Sequence, residues 1–134
     1  MGLFDIFRKK KPELTGEDLK WNKMWDLWTK GEAASPYAEL MTYQAEVCNG
    51  GHAQYFSNAE DLGDPAQELT VLKQILSARL KENAENAYKA YRVLEENPRD
   101  EEAETILAQC DGIFYENEAE IDRALEEYAA GMTL

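Results

Sequence analysis

From Thr15 to Ala130 the apolar side chains recur three and four residues apart, and no run alternates with period two. β-branched residues are few. Such a chain cannot build a sheet with one dry face, so its apolar stripes must be buried helix against helix. The pattern predicts an all-α fold: a compact single domain of about six to seven helices over residues 13–134. A short tail, residues 1–12, precedes it. With 134 residues, one hydrophobic core suffices without disulfides or a structural metal.

Local signals divide the chain. Thr15 suits the cap of a first helix ending near Lys30 and Gly31, with Glu17 and Asp18 in its first turn. Trp21, Trp25 and Trp28 share one face of it, which reads as core rather than a ligand-stacking surface. Ser35-Pro36 opens a second helix and Asn49-Gly50-Gly51 stops it, because glycine enters the left-handed region at little cost. A short helix over His52–Ala59 follows. Further helices are expected over Ala66–Leu80, Glu82–Glu96 and Asp100–Cys110, with a turn at Asp111-Gly112 before a last helix from Ile113 to Ala130.

The reactive-looking residues sit at the glycine pair. Cys48 and His52 flank it, but no C-x-x-C or H-x-x-x-H accompanies them, so the residues point to no metal and no cofactor. A cysteine nucleophile needs a cation or base to lower its pKa, and Glu46 would act the other way. The glycines lack the lysine and preceding strand of a phosphate loop. The expectation is therefore a structural corner and no enzyme. There Glu46 accepts N–H groups at the start of the short helix, Gln54 bridges helices, Tyr55 and Phe56 point inward, and Asn58 caps the end. A small-ligand or catalytic use of the Cys48/His52 corner stays open as an alternative.

Charge is uneven. The net charge is −13, yet residues 1–12 carry Arg8, Lys9, Lys10 and Lys11 against Asp5 alone. Between Glu95 and Glu127 stand 13 acids against Arg99 and Arg123. Such a surface repels nucleic acid and attracts basic proteins. Glu95, Glu96, Asp100, Glu101, Glu104, Glu116, Glu120 and Glu127 are the candidate contacts for a basic partner. The tail, with Leu3, Phe4, Ile6 and Phe7 before its cations, is short for a membrane anchor. Its alternatives are a membrane-peripheral adaptor or a segment packed on the domain. No secretory signal and no membrane span are visible, and two cysteines fit a reducing compartment, so a cytoplasmic location is expected.

The run Glu46-x-x-Asn49-Gly50-Gly51-x-x-Gln54-Tyr55-Phe56-x-Asn58 resembles the signature of a bacterial family of small all-helical domains whose best-understood relative is a dimeric DNA mimic. Asp111-x-x-Phe114-Tyr115 and the acidic helix ending at Tyr128 resemble that family's C-terminal segment. The likeness covers about residues 35–134. His52 departs from the apolar residue usual at its position. The resemblance implies an all-α fold, no catalytic residues, a homodimer, and carboxylates that occupy the DNA-binding surface of a basic protein such as a transcription factor. An immunity-type adaptor is a further alternative.

Overall fold

The computed structural model describes residues 15–134. The basic and apolar tail lies outside them. The described residues are all-helical and contain no strand. Five helices follow one another: α1 (Gly16–Thr29), α2 (Tyr37–Leu62), α3 (Pro65–Leu72), α4 (Ala78–Glu96) and α5 (Glu101–Ala130). The long α5 is the spine. It packs on α4, α2 and α1, while α2 also covers α3 and α4.

Helix α1 starts with a capping box. The Asp18 N–H donates to the Thr15 hydroxyl at 3.1 Å, and the Thr15 N–H donates to the Asp18 carboxylate at 3.0 Å. Gly31, at φ 72°, closes the helix. Met24 is fully buried, but the three tryptophans are only half-buried against the core. They stack edge to face, with centroids 6.2 and 5.3 Å apart, and the Trp28 indole N–H donates to the Thr42 hydroxyl at 2.9 Å.

Two expectations of helix number and extent need correction. The Asp111-Gly112 turn does not form, and α5 runs unbroken through 30 residues. A helix-interior glycine costs only about 1 kcal/mol. Leu107, Cys110, Phe114, Ile121 and Leu125 form one buried stripe across that point, and its burial outweighs the cost. The helix expected over Ala66–Leu80 ends at Leu72, and α4 begins at Ala78 because the Ser77 hydroxyl caps it, accepting from the Leu80 N–H at 3.4 Å. The two helices expected on either side of Gly50-Gly51 are present; they meet at a kink where both glycines leave helical geometry, and are numbered together as the two arms of α2. Five elements therefore replace six to seven. At the start of α2, Ser35 does not cap a backbone N–H; its hydroxyl bonds the Glu39 carboxylate at 2.9 Å.

The core gathers Tyr43, Tyr55, Phe56, Phe114 and aliphatic residues from every helix. Ala84, Ala87 and Ala90 give α4 a small-residue face that lets it approach α5 closely. Three polar side chains are buried with this core: Gln44, His52 and Asn83. Asn83 donates to the Cys110 carbonyl at 2.9 Å. Tyr37 stacks on Tyr128 with centroids 4.1 Å apart, and the Tyr128 hydroxyl accepts from the Ala34 N–H, joining the start of α2 to the end of α5. No helix among the described residues is long and apolar enough to cross a membrane.

Candidate interaction surface and the glycine corner

The corner begins with backbone geometry. Gly50 sits at φ −153°, ψ 20° and Gly51 at φ 76°, ψ −178°, which bends α2 into two arms. Only glycine takes the Gly51 conformation without strain. A Cβ there would also lie 2.5 Å from the Asp111 carboxylate.

Asp111, from the middle of α5, fills the space this glycine leaves. Its Oδ1 accepts the His52 backbone N–H at 2.9 Å and lies 2.6 Å from the His52 ring Nδ1. Asp111 therefore supplies the side-chain acceptor that sequence reasoning gave to Glu46. Burial acts to raise the Asp111 carboxyl, but its bonds with the His52 ring and backbone outweigh that and hold it below its ordinary value. The other ring nitrogen, Nε2, lies 2.6 Å from the Tyr43 hydroxyl. The Asp111 carboxylate can only accept, so Nδ1 carries the proton between them. Burial first, then Cys110 and Asp111, pushes the Tyr43 hydroxyl far up its scale.

The remaining motif residues lock the two arms together. Glu46, on the first arm, accepts from the Gln54 amide at 2.7 Å and from the Asn58 amide, both on the second arm. Asn58 thus ties the arms instead of capping the helix end. Tyr55 and Phe56 are buried and Asn49 is exposed. The Tyr115 hydroxyl donates toward the carbonyls of Val47 at 3.3 Å and Cys48 at 3.5 Å, which end the first arm.

Cys48 is exposed and its thiol donates to Glu118 at 3.2 Å. Partial burial, then Glu118 and Asp122, pushes this thiol up to about 11. It is protonated at neutral pH and serves as a donor. Both His52 nitrogens are engaged elsewhere, so the ring offers Cys48 no base. Among the described residues, no group of three or more His, Cys, Asp or Glu is arranged to hold a metal ion.

The carboxylates fall into separate groups. Glu95 and Glu96 end α4. Asp100 caps α5, accepting from the Ala103 N–H at 2.9 Å, and Glu101 and Glu104 lie in its first turn, where the helix dipole favours anions. Glu116 and Glu120 face the start of α4: Glu116 lies 3.8 Å from Arg79, and Glu120 accepts from the Ser77 hydroxyl at 3.1 Å. Glu127 lies farther along, beside α1. From Glu101 to Glu127 the axial rise is about 39 Å, so the eight candidates do not form one cluster.

Sequence reasoning left Glu60, Gln44, Glu118 and Asp122 out of this surface. Glu60 shares a hydrogen bond with Glu95; that bond first, then burial, raises the Glu95 carboxyl. The Gln44 amide donates to Glu118 at 3.2 Å and Asp122 at 2.7 Å. The signal for the second group was present in the spacing. Asp111, Tyr115, Glu118 and Asp122 stand at i, i+4, i+7 and i+11 on α5, a single stripe facing α2.

Taken together, an all-helical acidic domain with a glycine-bent second helix and a long carboxylate-rich fifth helix defines the class. A model of the DMP19-like protein family matches residues 32–132, and the chain belongs to that family. The match takes in the corner, α3, α4 and α5, and leaves out α1 with its tryptophans. No curated protein sequence and no solved structure gives a significant match.

Proposed function

We propose that this chain is a non-catalytic interaction protein that uses the carboxylates of α5 and its surroundings to occupy a basic protein surface, in the manner of a DNA mimic. One observation carries the reading: the acidity of α5 is not neutralised from within. The helix holds ten carboxylates and a single arginine. Among the described residues, the only Lys or Arg within ion-pair distance of an α5 carboxylate is Arg79. Neutral donors hold three of the others in place: Gln44 and Cys48 on Glu118, Gln44 on Asp122, Ser77 on Glu120. These carboxylates are oriented yet keep their full charge for a partner.

Charge density supports the same reading. A 30-residue helix is about 45 Å long, so a net −9 amounts to one charge per about 5 Å. One strand of duplex DNA carries one per 3.4 Å. Membership of the DMP19-like family favours a DNA-binding protein as the partner. The homodimer that the resemblance implies is part of this proposal, and light scattering on the purified chain tests it.

The experiment is affinity capture from the source cell at low salt. The bait is the full chain, beside a variant with Glu116, Glu120 and Glu127 changed to Gln. The expected result is a basic protein retained by the parent and lost by the variant. Capture of the same proteins by both would refute the proposal.

A further inference from the structure

After the Asn97–Asp100 link, α5 turns back along α4, and the pair leaves a groove of about 550 Å³ between them. That lies within the roughly 300–1,000 Å³ of small-molecule sites. One half of the groove is apolar, lined by Ala90 and Val93 of α4 and by Ala103 and Ile106 of α5. The two alanines are buried, and their short side chains leave room that larger residues would fill.

Asn83 and Cys110 lie in the other half. Asn83 is only 3% exposed. Its Nδ2 donates to the Cys110 carbonyl at 2.9 Å, which fixes the amide and leaves Oδ1 as its free end. Among the described residues no donor reaches Oδ1, and no other buried side-chain nitrogen or oxygen is left in that condition. An unpaired buried acceptor is unfavourable, and a donor that pairs with it on binding regains that loss. Asn86 and Gln109 also line this half; both are exposed, so their side chains can swing aside to admit a ligand. The charged rim is elsewhere. Asp100 and Glu102 stand at the end nearest the α4–α5 link, about 15 Å of helix from Asn83, and Lys89 is exposed. A donor at Asn83 therefore meets no counter-ion, which favours a neutral one.

We propose that this groove is a small-molecule site for a neutral, flat, apolar ligand carrying one N–H donor. The ring lies against Ala90 and Ile106, and the N–H pairs with Asn83 Oδ1. The site is separate from the acidic surface and does not depend on the function proposed above.

The test titrates the full chain with 3-methylindole and with 1-methylindole, read by backbone amide NMR shifts. The two probes are isomers of the same size, and only the first keeps its N–H. The expected result is shift changes centred on Asn83, Ala90, Ile106 and Cys110, with 3-methylindole bound about tenfold tighter. Asn83→Leu removes the acceptor at similar volume and should bring 3-methylindole down to the affinity of its isomer. Ile106→Ala should weaken both probes alike. Equal binding of the two probes by the parent would overturn the inference, and that comparison stands even if the Asn83→Leu chain does not fold. Groove amides that neither probe moves would also overturn it, as would shifts centred on the α1 tryptophans. So would a folded Asn83→Leu chain that still prefers 3-methylindole.

Discussion

Asp111 takes two hydrogen bonds from one residue 59 positions away: the backbone N–H of His52 at 2.9 Å and its ring Nδ1 at 2.6 Å. This pair joins the bend of α2 to the middle of α5, and so ties the corner to the helix that carries the acidic surface. Changing Asp111 to Asn should cost about 1.5–3 kcal/mol in urea unfolding at pH 7, because the acceptor loses its charge in a partly buried place. The folded carboxyl lies below its ordinary value, so its contribution is complete above about pH 4 and disappears as pH falls through the lower folded value. The gap between parent and variant should therefore close on acidification. A gap that stayed constant from pH 7 to pH 2 would show that charge plays no part.

Two glycines should respond to the same substitution with opposite sign. Gly51→Ala meets both a positive φ and a contact 2.5 Å from Asp111, and should destabilise by about 2–3 kcal/mol. Gly112→Ala meets open space inside a regular helix and should stabilise by about 0.5–1 kcal/mol. Denaturant midpoints of the two variants measure both.

The contrast between these glycines marks how far the sequence could be read. Thr15, Gly31 and the Gly50-Gly51 bend were legible because caps and left-handed glycines act within a few residues. Asp111-Gly112 has the composition of a turn, and only the buried stripe from Leu107 to Leu125 overrides it. Glu46 was the nearest plausible acceptor for the second arm of α2. The true one, Asp111, comes from another helix; its spacing with Tyr115, Glu118 and Asp122 marks a shared face but does not name the helix that face meets. The carboxylates were legible as a charge excess, but their grouping depends on which helices flank α5.

Glu68 should respond to pH in the opposite sense to Asp111. Burial first, then Glu39, raises its carboxyl, while the Tyr55 hydroxyl partly offsets this. The raised value means that ionisation of Glu68 costs stability as pH rises above about 4. Glu68→Gln should stabilise the chain by up to about 1 kcal/mol at pH 7, with solvent screening keeping the gain small, and by nothing near pH 3.5. Thermal unfolding at the two pH values is the check, and equal gains at both would contradict the electrostatic cause.

The thiols should differ in kind. With its thiol near 11 against an ordinary 9.0, Cys48 should be alkylated at pH 8 about 100-fold more slowly than a cysteine in an unfolded peptide. Glu118→Gln should speed that reaction, since Glu118 holds the proton on sulfur. The buried Cys110 should react only after unfolding. Rapid native labelling of Cys48 would reopen the question of a nucleophile at the corner.

The most direct measurement is the affinity of the captured partner for the full chain as a function of NaCl. If uncompensated carboxylates of α5 form the contact, affinity should fall at least about tenfold between roughly 50 and 200 mM salt, and more gently for the Glu116/Glu120/Glu127 to Gln variant. An affinity indifferent to salt, and equal for both chains, would contradict the claim that this protein works through its acidic surface.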